Sequence, residues 1–216
     1  MKFIAKRQSF FISAGFLSVG IFILMQAILP ILSFQLWAMG QRLNNQVLVS
    51  PTQGSKQVLG VSVEDKDNFP AFISSARTSE HSYDKFYLSV PKLKIQNAPV
   101  YVDSNDLSKG LAHLSGTALP GEKGNVFISG HSAIRPAFSI KQALFSNLTD
   151  LKVGDQMIVD TSGSRFIYEV IGFKIVDPSD LSVISAPDTM GRYISLMTCV
   201  PPGLNFKRLI VLGKMI

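Results

Sequence analysis

The chain has one cysteine, one tryptophan and three histidines among its 216 residues. A single cysteine excludes an internal disulfide and any zinc site built on paired thiolates. Cys199 is left as a buried small hydrophobe, a link to another chain, or a reactive thiol. Runs of Lys or Arg are missing, as are basic stripes interleaved with aromatics, which leaves nucleic-acid binding without support. Internal repeats and low-complexity tracts are also absent. Charge itself is missing from one long stretch, since no Asp, Glu, Lys or Arg occurs between Arg7 and Arg42.

That gap holds the longest apolar run. Phe10 to Leu32 is almost wholly apolar and long enough, as a helix, to cross a hydrocarbon core of about 30 Å. Gln26 and Pro30 interrupt it, and membrane helices tolerate both. Lys2, Lys6 and Arg7 precede the run, whereas Arg42 alone follows closely, so the positive-inside rule puts the N-terminus in the cytoplasm. A cleaved signal peptide is the competing reading; the run is long for one, and Trp37-Ala38-Met39 is a poor cleavage site. The net charge of +6 changes once these basic residues are set aside: 18 basic against 15 acidic residues remain, a net +3 that implies only mild attraction to anionic surfaces. The expected organisation is a cytoplasmic segment 1–9, a signal-anchor 10–34, an extracellular spacer 35–84 and a globular domain 85–216. The localisation that follows is single-pass, with that domain outside the cell.

The spacer is polar and lacks a sustained period, although Asp67-Asn68-Phe69-Pro70-Ala71-Phe72 could fold back onto the domain. Within the domain, strands are predicted over Phe86–Val90, Leu93–Ile95, Val100–Val102, Val126–Ser129, Met157–Asp160, Phe166–Val176, Arg192–Thr198 and Lys207–Gly213, with an edge strand at Leu181–Ile184. Leu107, Leu111 and Leu114 share one helical face over Asp106–Leu114, and Ala137–Leu151 has helical spacing too. Many short strands with two short helices indicate a mainly β protein closed, or nearly closed, into a barrel.

Three polar residues stand at the edges of these strands. Val126-Phe127-Ile128-Ser129-Gly130 leads into His131, Ser195-Leu196-Met197-Thr198 leads into Cys199, and Arg208 opens Leu209-Ile210-Val211-Leu212. A thiol of ordinary pKa, about 8.5, is mostly protonated at neutral pH, and a neighbouring imidazolium raises its thiolate fraction. A guanidinium stays charged and can hold an oxyanion, while an imidazole can protonate a leaving amine. Taken alone, each residue has a bland reading: Cys199 as core filler, Arg208 as a surface strand residue like Arg165 or Arg192, and His131 in competition with His81 and His113.

The ordered set is more specific. Val90-Pro91-Lys92-Leu93, Gly110 to His113, Gly116-Thr117, Pro120-Gly121-Glu122-Lys123-Gly124-Asn125, Ser129-Gly130-His131, Leu196-Met197-Thr198-Cys199 and Arg208-Leu209-Ile210-Val211 follow one another over Leu88 to the C-terminus. With the apolar N-terminal run, this resembles the sortase family, membrane-anchored cysteine transpeptidases of bacterial surfaces. The resemblance implies an eight-stranded barrel with Cys199 as nucleophile, His131 as the catalytic histidine, Arg208 as the arginine, and Thr198 helping to hold the substrate carbonyl oxygen. Ser195 stands where the family has threonine, and keeps the hydroxyl.

The activity so implied is cleavage of a Leu-Pro-x-Thr-Gly-like sorting signal through a Cys199 thioester. The acyl part then passes to an amine of a peptidoglycan precursor or a pilin lysine. The partners are surface proteins carrying that signal, together with the membrane, and no nucleic acid. No cofactor or metal is expected: no His/Cys spacing suits zinc, and Asp103 with Asp106 is more simply a cap than a calcium site, although some sortases bind calcium. No second apolar span and no Asp-Pro-aromatic lid motif occur, which favours an anchoring enzyme over a pilin polymerase, although Pro201-Pro202-Gly203-Leu204-Asn205 has a pilin-type flavour. Two other readings keep the same chain: a surface cysteine peptidase in which water is the acceptor, and an inactive tethered binding domain.

Overall fold

The computed structural model describes residues 2–43, 62–66, 69–73, 83–132, 143–202 and 206–216. Helix α1 (Lys2–Leu43) makes up the first of two compact units, which ends at Gly40. Gly15–Gly40 within it is long and apolar enough to cross a membrane, and its large side chains, Phe16, Leu17, Ile21 and Phe22 among them, are exposed. Strands β1 (Ser62–Lys66) and β2 (Phe69–Ile73) form a two-stranded antiparallel hairpin within the stretch read as spacer. His81 lies outside the described residues.

Eight further strands close into a barrel. They are β3 (Lys85–Val90), β4 (Ile95–Tyr101), β5 (Leu111–His113), β6 (Gly124–Ser129), β7 (Gln156–Asp160), β8 (Arg165–Val176), β9 (Arg192–Val200) and β10 (Lys207–Met215). Around the barrel the order is β10-β8-β7-β3-β4-β5-β6-β9, and β9 pairs with β10 to close it. Most neighbours are antiparallel; β4–β5 and β6–β9 are parallel. Strand β3 shows the alternation expected of a barrel wall: Phe86, Leu88 and Val90 are buried, while Tyr87 and Ser89 are partly exposed. In β9 every residue after Arg192 is buried, so both faces of that strand are covered.

Several sequence expectations change. Leu93–Ile95 is not a strand of its own: Pro91–Leu93 is a 3-10 turn that its Lys94 cap closes, and Ile95 opens the strand β4 that runs on to Tyr101. Asp106–Leu114 is not one helix but a single 3-10 turn, Leu107–Lys109, followed by strand β5. Asp106 caps the turn by accepting from the Ser108 amide at 3.0 Å, and Gly110 ends it at φ +141°, which a helix does not accommodate. Leu181–Ile184 is not an edge strand. Asp180 accepts from the Ser182 amide and starts a 3-10 turn over Leu181–Val183, with Leu181, Val183 and Ile184 all buried. Of Ala137–Leu151, residues 137–142 lie outside the described residues, and the rest carries a 3-10 turn at Leu148–Asp150.

The loop entering β9 is tied by one carboxylate. Asp188 accepts from the Met190 amide at 2.9 Å, the Gly191 amide at 2.5 Å and the Tyr193 hydroxyl. The hydrogen bond from Tyr193 is the main reason that Asp188 titrates below the usual carboxylate range, and the same bond is the main reason that Tyr193 is pushed up to about 12. Because the folded carboxyl is depressed, its contribution to stability is present above the ordinary carboxylate pKa and is lost as pH falls through the lowered value. Tyr193→Phe is therefore expected to move the Asp188 titration upward, read by carboxyl-carbon NMR; an unmoved titration would mean that the amides alone set it.

Candidate active site

The closing seam of the barrel positions the two outer members of the sequence-predicted site. Cys199 and Arg208 are direct partners across the antiparallel β9–β10 pair, and Arg208 is in turn opposite Val176 of β8. Directly opposed residues share a face, so Val176, Arg208 and Cys199 form a row across three strands. On the other side of β9, strand β6 runs parallel with Ser129 opposite Met197, and the pairing continues one step as the Gly130 amide donates to the Met197 carbonyl at 3.1 Å. Two residues further along each parallel strand brings His131 level with Cys199 and on the same face.

That face is the outer one. Phe127, Val176, Met197 and Ile210, which share it, pack with Leu181, Val183 and Ile184 of the β8–β9 connection. The interior of an eight-stranded barrel is filled by side chains and has no room for a length of backbone, so the connection must cover the outside. Asn125 of β6 anchors it there, its Nδ2 reaching the Val183 and Ile184 carbonyls at 3.4 and 3.0 Å.

Burial sharpens the chemistry. Cys199 is 3% exposed, Arg208 is fully buried, and His131 is partly exposed. The Arg208 Nη1 donates to the Lys207 carbonyl at 3.3 Å. A buried guanidinium is costly to maintain, and the cost is offset where an anion or a polar reacting group sits beside it in a low-dielectric setting. The same setting strengthens its pull on a thiolate or an oxyanion compared with water. The arrangement can thus generate a nucleophile, stabilise negative charge one strand away, and move a proton at a partly solvated imidazole.

Thr198 faces the other way. Its neighbour Cys199 is on the outer face, so strand alternation turns Thr198 inward, where it is 1% exposed and its hydroxyl donates to the Gly130 carbonyl at 2.9 Å. Gly130 must be glycine for packing reasons, because an added Cβ would lie 2.6 Å from both Leu111 Cδ2 and Phe145 Cδ2.

The competing residues are elsewhere. His113 is fully buried in β5; its Nε2 lies 3.0 Å from the Ala118 carbonyl and 2.9 Å from Thr117 Oγ1, and its Nδ1 lies 3.3 Å from the Asp103 carboxylate. Those contacts tie the Asp103 loop to the turn at Thr117 and Ala118 and engage both ring nitrogens of His113. Arg165 sits at the exposed β7–β8 hairpin with its Nε 2.6 Å from Asp160, and Arg192 donates to the Gly121 carbonyl at 2.8 Å from the opposite end of β9. Asp103 and Asp106 are engaged with His113 and Ser108 respectively. Among the described residues, no group of three or more His, Cys, Asp or Glu side chains is placed to hold a metal.

Sequence reasoning did not find Val176 in the row or the bond from Thr198 to Gly130. The second had a signal, because alternation alone turns Thr198 away from Cys199. The first had none: β8 carries an extra residue, Ile171, at the irregularity opposite Leu212 and Gly213, which shifts the faces of the residues beyond it.

Comparison with known proteins agrees with this architecture. Residues 88–216 match the Sortase domain family model. Sortase D of Bacillus subtilis (strain 168) is 33% identical over 131 residues, covering 59% of this chain and 61% of that protein. Sortase A of Bacillus anthracis is 30% identical over 131 residues, covering 60% of this chain and 58% of that protein. The chain thus spans about three fifths of the length of these curated relatives. Among solved structures, a lid mutant of sortase A from Corynebacterium diphtheriae superposes with a TM-score of 0.54 at 33% identity, covering 62% of this chain and 70% of that one. A pilus-related sortase C of Group B Streptococcus gives a TM-score of 0.54 at 35% identity, over 63% of this chain and 69% of that one. A family model that matches more than half of the residues, on a barrel closed through β9 and β10, makes this chain a member of the sortase family.

Proposed function

We propose that this protein is a membrane-anchored cysteine transpeptidase that joins surface proteins to an amine acceptor. The observation that carries the reading is the pairing of Cys199 with Arg208 across β9 and β10; the β6–β9 register, extended two residues past Ser129, brings His131 to the same end. Helix α1 supplies the anchor, with its Lys2, Lys6 and Arg7 end in the cytoplasm and the barrel outside the cell.

The Cys199 thiolate attacks the carbonyl carbon between Thr and Gly of a Leu-Pro-x-Thr-Gly-like signal. The oxyanion that forms draws on the buried Arg208 guanidinium. His131 as imidazolium protonates the departing glycine amine as the C–N bond breaks, leaving a Cys199 thioester. An incoming amine, of a peptidoglycan precursor or a pilin lysine, gives a proton to His131 and attacks the thioester. A new amide forms and the thiolate departs. No step requires a metal or cofactor.

Trapping tests the reading. The full chain in detergent, incubated with a panel of sorting peptides, is expected to carry an acyl adduct on Cys199 by mass spectrometry. Adding oligoglycine or a diaminopimelate-type amine should convert the adduct to an amide product. The absence of an adduct with every peptide would sink the reading, and turnover indifferent to added amines would make the enzyme a peptidase.

A further inference from the structure

We propose that Thr198 is a positioning residue for His131, acting from inside the barrel through the Gly130 carbonyl rather than on the substrate. The proposal rests on the reading of His131 as the proton carrier.

Three observations carry it. First, strand alternation puts Thr198 on the face of β9 opposite Cys199, and it is 1% exposed, so a peptide bonded to Cys199 does not meet it. Second, a threonine hydroxyl has one proton to donate, and here it goes to the Gly130 carbonyl at 2.9 Å. Branching at Cβ restricts χ1, so the hydroxyl is held there and does not swing between partners. Third, that carbonyl belongs to the peptide group that carries His131.

The Thr198 bond completes a clamp. The Gly130 amide donates to Met197, the Gly130 carbonyl accepts from Thr198, and the His131 carbonyl accepts from the Phe145 amide at 3.1 Å. The Leu111 and Phe145 side chains close on the Gly130 Cα so tightly that no Cβ would fit. These three bonds and that packing hold the backbone from which the imidazole projects. Of the three, only the Thr198 bond comes from a side chain, and so only it can be removed by substitution without altering the backbone.

The test is Thr198→Val, which keeps the shape and removes the donor, with Thr198→Ser as the rescue that keeps it. Iodoacetamide alkylation of Cys199 across pH, on the full chain in detergent and normalised to folded protein, reads the thiol and its imidazole neighbour without any substrate. Peptide turnover is followed with whichever sorting peptide gives the Cys199 adduct. Thr198→Val is expected to displace the alkylation profile and to lower kcat about 10- to 100-fold with KM unchanged, the size of effect that follows loss of an orienting partner. Thr198→Ser should restore both, and Thr198→Val should add nothing in a His131→Ala background.

If Thr198→Val instead raises KM and leaves the alkylation profile untouched, the hydroxyl holds substrate and the proposal is overturned. An unchanged kcat also overturns it. If His131→Ala retains wild-type turnover, the reading of His131 fails and the proposal falls with it. An inactive His131→Ala with an unaffected Thr198→Val removes the positioning role alone. Should the valine variant fail to fold, Thr198→Ala carries the same expectations.

Discussion

Cys199→Ala is expected to abolish the acyl adduct and to lower turnover by about 10⁴-fold or more, the scale seen when the nucleophile of a coupled catalytic group is removed. The effect should be chemical rather than structural. Cys199 is the only cysteine and lies in no disulfide, so the substitution trims a single sulfur from a strand whose backbone pairing to Arg208 is unaffected. The associated loss of stability is about 1 kcal/mol, within reach of a thermal-melt comparison. Intact-mass spectrometry with sorting peptides and a parallel melting curve decide the matter. A variant that melts normally and still turns over at the wild-type rate would place the nucleophile elsewhere.

Arg208→Lys is expected to lower kcat by about 10²- to 10³-fold, comparable with the loss of one oxyanion donor. Charge is conserved by this change, so a purely electrostatic role predicts little loss. The larger effect follows from shape. The pocket around Arg208 excludes solvent fully and holds Nη1 on the Lys207 carbonyl, a geometry that suits a planar fork and not the compact ammonium of lysine. The loss should fall on kcat and leave KM close to wild type, since the oxyanion exists only after attack. Arg165→Lys is the matched control. That side chain is exposed and paired with Asp160 at the hairpin, where ion pairs contribute little, and activity should stay within about twofold. Equal losses in the two variants would overturn the role given to Arg208.

Much of the barrel could be read directly from residue patterns, for physical reasons that also explain the failures. The alternation in Phe86–Val90 marks a wall with one face inside, and the run Tyr193–Val200, apolar but for Ser195 and Thr198, marks a strand covered on both faces. The same logic misled at Leu107, Leu111 and Leu114. Their helical spacing is real, but Leu111, Ala112 and His113 are all buried in a strand packed on both sides, and a segment without an exposed face carries no usable period. Leu181–Ile184 failed differently, because a local bond from the Ser182 amide to the Asp180 carboxylate outweighs the β-propensity of valine and isoleucine. At the candidate site, the residue types at strand edges were visible, whereas the register that makes Cys199 and Arg208 partners depends on how the chain returns after Val200. Pattern alone does not encode that return.

The parallel pairing of β6 with β9 has a consequence for the order of assembly. Gly130 and Thr198 meet across a sequence separation of 68, whereas β7 and β8 pair through a tight hairpin at Thr161 to Ser164. Closing the longer loop costs chain entropy before any native contact compensates, so local hairpins form early and the β6–β9 union late. Strand β10, joined to β9 by only six residues, belongs with the early hairpins, so Cys199 and Arg208 are paired before β6 meets β9. Catalytic competence should therefore be among the last properties to return on refolding, trailing the appearance of β structure, and a chain halted before β9 meets β6 would hold Cys199 beside Arg208 without the His131 segment alongside.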